Sequence, residues 1–121
     1  MTEQEFWSFL ERLWTRGRAK QITVTLGHAD FQTQPVGDYI RGHALLPKDY
    51  EEICTEDIIK MSSLLFEKEV KHETKEAIIM LLAHQSSEIA LTILSKYSLA
   101  PDKDLEYFAK IALDECAMWN E

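Results

Sequence analysis

The run Lys75-Glu76-Ala77-Ile78-Ile79-Met80-Leu81-Leu82-Ala83 decides how this chain is read. Its apolar residues are consecutive and not spaced in a stripe, so the stretch from about 71 to 84 predicts a helix that is apolar almost all round. Such a helix has to be covered on several sides, which makes it the central one. On its N-terminal side, Thr55 with Glu56 and Asp57 behind it is a helix start. Ile58, Ile59, Met61, Ser62, Leu65 and Phe66 carry that helix to about residue 67. On its C-terminal side, Ser86 or Ser87 caps a helix through Ile89, Ala90, Leu91, Ile93, Leu94 and Tyr97. Pro101-Asp102 then opens a last helix bearing Leu105, Phe108, Ala109, Ala112, Cys116 and Trp119.

The chain begins with another helix. Thr2-Glu3-Gln4-Glu5 has capping-box spacing, and Phe6, Trp7, Phe9, Leu10, Leu13 and Trp14 form an apolar stripe over about residues 3–16. Gly17 follows as a left-handed C-terminal cap. Residues 18–47 read differently, with Gly27, Gly37, Gly42, Pro35 and Pro47. Ile22-Thr23-Val24-Thr25-Leu26 alternates like a short strand, and Tyr39-Ile40-Arg41, after a Pro35-Val36-Gly37-Asp38 turn, could pair with it. A small hairpin or an ordered loop is expected there. The predicted fold is thus mainly α, in one domain over 1–121: an N-terminal helix (1–17), a Gly-containing insert (18–48), and a helical part (49–121) of two stacked antiparallel hairpins.

Shifting the second part of the chain on itself by thirty-two residues lays Ile59 on Leu91, Met61 on Ile93, Leu65 on Tyr97, Ala77 on Ala109, Ile79 on Ile111 and Leu81 on Leu113. A period of this size marks stacked helix pairs that bury their apolar faces on one another. The central run, with Ser87-Glu88-Ile89-Ala90-Leu91 and Asp104-Leu105-Glu106-Tyr107-Phe108-Ala109-Lys110-Ile111-Ala112-Leu113-Asp114-Glu115-Cys116, resembles bacterial HEAT-like helical repeats over residues 55–119. The chain departs from that pattern in having His84-Gln85 where a Gly often separates repeats, and in its N-terminal helix and insert. The resemblance implies an α-solenoid-like scaffold that holds a protein partner, with no catalytic residues at fixed positions.

At 45% hydrophobic and 28% charged residues, the composition excludes a disordered, collagenous or disulfide-scaffold chain. Net charge is −8, which opposes nonspecific attraction to nucleic acid and to anionic lipid. Residues 1–50 hold six basic and six acidic residues, including all four arginines, while residues 51–121 hold seven basic against fifteen acidic. The negative charge therefore belongs to the helical part. Cys54 and Cys116 lack any Cys-x-x-Cys companion, so both are expected to be buried free thiols in a reducing, cytoplasmic setting. The acidic start has no leader pattern, and the apolar runs fall short of a membrane span.

Three groups of residues carry candidate chemistry. Arg12, Arg16, Arg18 and Lys20, interleaved with Trp7 and Trp14, form a basic aromatic patch suited to a partner's carboxylates. Its plainer alternative is tryptophans in the core and arginines paired within the chain. His28, Asp30, Asp38 and His43 bring two imidazoles and two carboxylates into the insert, a donor set suited to zinc, against which stands a polar loop with turn-forming Asp residues. Glu67, Glu69, Glu73 and Glu76 with Lys68, Lys71 and Lys75 read as a solvated face of weak ion pairs. His72 and His84 lack His-Glu-x-x-His spacing, and no nucleophile elbow, P-loop or dinucleotide fingerprint occurs.

The expected function is a small cytosolic protein-interaction module without catalysis and without a cofactor. Its partner is another protein or, because two repeats leave an apolar end, a second copy of the chain. Nucleic acid and membrane are not expected partners. Two alternatives stand beside this reading: an acidic, immunity-type inhibitor of a basic enzyme, and a small metal-dependent enzyme built on His28, Asp30, Asp38 and His43.

Overall fold

The computed structural model describes residues 1–19 and 34–121, and it is mainly helical, with no strand among the described residues. Helix α1 spans Glu3–Trp14, α2 Gln34–Gly42, α3 Thr55–Ser62, α4 His72–Ala83, α5 Glu88–Leu99 and α6 Glu106–Trp119. Short 3-10 turns occupy His43–Leu45, Tyr50–Glu52 and Ser63–Phe66.

Helix α4 is the centre that its composition requires. Every residue from Ala77 to Ala83 is 1% exposed or less, and α2, α3, α5 and α6 each pack against it. Full burial of an Ile or Leu side chain contributes about 1.5–3 kcal/mol, so this one helix carries a large part of the hydrophobic driving force.

Local side-chain caps set the starts of α1 and α5. At α1 the Thr2 hydroxyl accepts from the Glu5 amide at 3.1 Å, and the Thr2 amide donates to the Glu5 carboxylate at 3.0 Å, closing the expected capping box. Removing that hydroxyl in Thr2→Ala should lower stability by about 1 kcal/mol, seen as an earlier denaturation midpoint at unchanged slope. The other end comes earlier than expected, at Trp14 with Thr15 as its C-cap, and Gly17 beyond it takes a φ of 118°, a conformation open to glycine. Ser87 caps α5 by accepting from the Ala90 amide at 3.3 Å.

Several expectations are corrected. Tyr39-Ile40-Arg41 is helical, and Pro35-Val36-Gly37-Asp38 lies within the same helix α2 and forms no turn. Proline is tolerated in a first helical turn, and tertiary packing outweighs the weak propensity of Gly37. Buried Tyr39 stands edge-on to Phe108 of α6 at 5.1 Å, and a Cβ on Gly42 would come within 2.7 Å of the Met80 methyl, so glycine lets α2 approach α4 closely. The Ile22–Leu26 strand lies outside the described residues. The insert is closed at its base by a single antiparallel bridge: Ala19 donates to the Leu46 carbonyl and Lys48 to the Gly17 carbonyl, both at 2.9 Å.

At α3 the cap position falls on Cys54, one residue before Thr55. Its exposed thiol donates to Asp57 at 3.2 Å, so of the two cysteines only Cys116 is buried. The final helix starts at Glu106 and not at Pro101-Asp102, because the Asp102 carboxylate is turned to other partners and Asp104 takes a φ of 74° to close the loop. Lys75 leaves its expected solvated face altogether. It is 1% exposed, with its ammonium 2.8 Å from Asp102, which also accepts from the Tyr97 hydroxyl at 2.5 Å. The neighbouring Glu67, Lys68, Glu69, Lys71 and Glu73 are exposed, as expected.

Candidate functional site

Three elements converge on one carboxylate oxygen. Tyr39 comes from α2, His43 from the turn that follows it, His84 from the residue that ends α4, and Glu115 from the third turn of α6. The Tyr39 hydroxyl donates to Glu115 Oε1. His84 Nε2 lies 3.0 Å and His43 Nε2 3.6 Å from that same oxygen. The ligand atoms of His43, His84 and Glu115 all fall within 4.8 Å of one another.

The rings are held from behind. His84 Nδ1 is 2.9 Å from the Met80 carbonyl, one turn back in α4. His43 Nδ1 is 3.0 Å from the Tyr39 carbonyl and 3.2 Å from that of Ile40. The two imidazoles meet edge to face at 4.9 Å, with Tyr39 against His43 and Tyr50 against His84.

Electrostatics differ among the three groups. The Glu115 carboxylate beside it raises the pKa of His43. Burial lowers that of His84, outweighing the favourable Met80 carbonyl and Glu115 charge. For Glu115 burial alone would raise the pKa, but His43, Tyr39 and His84 together hold it below the usual carboxylate value. Burial and the neighbouring Glu115 push the Tyr39 phenol well above its ordinary range. Next in sequence, Cys116 is buried and its thiol is pushed up to about 11, which leaves it protonated and inert at neutral pH. The cluster can hold a cation between two imidazoles and a carboxylate. It is partly open to solvent: the His43 and Glu115 side chains are 35% and 21% exposed.

The residues expected from sequence are distributed otherwise. Of His28, Asp30, Asp38 and His43, the last lies in this cluster. His28, Asp30 and the Asp38 side chain lie outside the described residues, as does Lys20. In the basic aromatic patch the tryptophans are committed inward. The Trp7 indole donates to Thr74 at 2.9 Å and the Trp14 indole to the Leu45 carbonyl at 2.7 Å. Arg18 covers the Trp14 ring at 4.1 Å, Arg16 reaches Asp49 at 3.9 Å, and Arg12 lines a shallow groove with Gln4, Ser8, Asp57 and Lys60.

Tyr39, His84 and Glu115 were not legible as a site. In the sequence Tyr39 reads as strand, His84 has no zinc-motif spacing to His72, and Glu115 is one of fifteen acidic residues in its part of the chain. No local spacing links them, because packing of α2 and α4 on α6 is what brings them together.

A second feature lies on the surface. Tyr107 and Met118, eleven positions apart, fall on one side of α6 with Ile111 between them, while Phe108, Ala109, Ala112 and Cys116 face the core. Tyr107 is 65% and Met118 62% exposed, and Leu99 at the end of α5 is 87% exposed. No helix among the described residues is long and apolar enough to cross a membrane.

The chain matches no family model, no curated protein and no solved structure.

Proposed function

We propose that this chain is a small cytosolic protein-interaction module on a HEAT-like scaffold, docking a protein partner through the outer face of α6. The observation that carries this reading is the exposure of Tyr107 and Met118 on the side of the last helix turned away from the core. Large apolar side chains grouped on a surface favour a partner, because each gains free energy only when water is removed from it, and aromatic and Met residues are enriched at interface centres. Around them stand Glu106, Asp114 and Glu121 with Lys110, a rim that is acidic on balance and suits a partner with basic groups at its edge.

The repeat scaffold is supported by the pairing of α5 with α6, while α3 packs on both α4 and α5, and by two of the equivalences at a spacing of thirty-two. Leu65 and Tyr97 are both buried, and Ala77 and Ala109 are both fully buried. Ile111 and Leu113, the counterparts of buried Ile79 and Leu81, are only half-buried, which is the pattern of a last repeat with no successor to cover it.

The test is the double substitution Tyr107→Asp and Met118→Asp. Thermal stability should stay within about 0.5 kcal/mol of the parent, because both side chains are exposed. Affinity for a partner captured from the native cell and then purified should fall by about tenfold or more. Sedimentation of the chain alone separates a second copy from a foreign partner. Unchanged affinity and unchanged mass in the double variant would remove α6 as the contact surface.

A further inference from the structure

We propose that His43, His84 and Glu115 form a site for one divalent first-row transition cation, zinc in its chemistry, which clamps the segment after α2 to α4 and α6. The Met80, Tyr39 and Ile40 carbonyls only accept hydrogen bonds, so Nδ1 of each ring carries the hydrogen and donates. In its neutral form each ring then presents a lone pair at Nε2, and Nε2 of both rings faces Glu115 Oε1, at 3.0 and 3.6 Å. The three atoms take a cation among them, either the proton of an imidazolium that donates to the carboxylate or a metal ion that displaces that proton.

The distances and the surroundings suit a metal ion. Zinc bonds of about 2.0–2.2 Å to imidazole and carboxylate place neighbouring ligand atoms of a tetrahedral shell about 3.3–3.5 Å apart. The two separations from Oε1 straddle that range, and the third lies within 4.8 Å. Metal-ligating imidazoles donate their other nitrogen to a backbone carbonyl or carboxylate, and ligating carboxylates are themselves hydrogen-bonded. All three side chains have such a partner here, the Tyr39 hydroxyl serving Glu115. Two imidazoles with one carboxylate select a borderline cation over calcium or magnesium, which prefer oxygen. The His43 and Glu115 side chains are 35% and 21% exposed, which gives an ion an entry path, and His84 also lines a cleft with Gln85, Ile53 and Trp119.

Calorimetric titration of the full chain with Zn²⁺, with Ca²⁺ as comparator, tests the site. One zinc per chain should bind with micromolar or tighter affinity and raise the melting temperature with the logarithm of free zinc, while calcium does neither. His43→Gln and Glu115→Gln should each weaken binding by about tenfold or more. These two are chosen over changes at buried His84 because both side chains are partly exposed, and circular dichroism without metal should show parental helicity. Co²⁺ should give tetrahedral d–d absorption without a thiolate charge-transfer band, separating these ligands from Cys54 and Cys116. Absence of saturable zinc binding, parental affinity in both variants, or a thiolate band would each overturn the assignment.

Discussion

Asp102→Ala should cost about 3 kcal/mol of stability, whereas Lys75→Met should stay within about 1 kcal/mol of the parent. The asymmetry follows from where the two charges sit. Lys75 Nζ is enclosed in the core face of α4 and has Asp102 as its partner at 2.8 Å, while the Asp102 side chain is 26% exposed. Deleting the carboxylate strands an ammonium in a medium that solvates it poorly. Replacing the lysine by an apolar side chain of similar length removes the desolvation cost together with the attraction, and leaves an aspartate that water can reach. Chemical denaturation of the two variants beside the parent measures the difference directly, and equal losses in both would show that burial of Lys75 is not the controlling term.

The same pair makes stability depend on acid. Burial alone would raise the Asp102 pKa, but the Lys75 ammonium and the Tyr97 hydroxyl outweigh it and hold the carboxyl below its ordinary value of 3.8. A carboxyl depressed in the folded state contributes stability that is fully present above its unfolded pKa, and loses it as pH falls through the folded one. The melting temperature of the parent should therefore decline below about pH 4. Asp102→Asn, already less stable at neutral pH, should show a shallower decline over that window.

Phe6→Ala should destabilise the chain by about 3–5 kcal/mol. Helix α1 is held by two fully buried side chains, Phe6 and Leu10, and by polar ties at its edges: the Trp7 indole on Thr74 and the Glu3 carboxylate on the Thr74 hydroxyl and the Lys71 amide. Removing the phenyl ring opens a cavity at the larger of these anchors and deletes the 5.4 Å edge-to-face contact with Trp7. Because Trp7 and Trp14 stand 6.4 Å apart against the same surface, tryptophan fluorescence reports loosening of α1 independently of helicity. A loss under about 1 kcal/mol would mean that α1 is seated mainly by its polar edge.

How much could be read beforehand depended on the range of the interactions involved. The capping box at Thr2 and the Ser87 cap are settled within four residues of chain, and each is found where local chemistry puts it. Helix α3 begins at Thr55 as its Thr-Glu-Asp start suggests, with Cys54 at the cap position and no side-chain cap bond. Residues 39–41 were misread in kind: with glycines and a proline nearby their local preference is weak, and the choice fell to Tyr39, whose ring packs on Phe108 and whose hydroxyl reaches Glu115. Lys75 was misread because a Lys among alternating charges looks solvated, and only the position of Asp102 in a distant loop makes its burial tolerable.

By itself the sequence determined that the molecule is built around residues 77–83, since a helix apolar on every side has no stable place except under other helices, and it determined the helical character of the flanking segments through their periodicity. Tertiary structure alone decided that α2 is a helix, that Lys75 is interior, and that His43, His84 and Glu115 face one another. Those outcomes depend on which surfaces meet, and a meeting of surfaces is set by the summed packing of many side chains, which leaves no spacing in the chain for a reader to find.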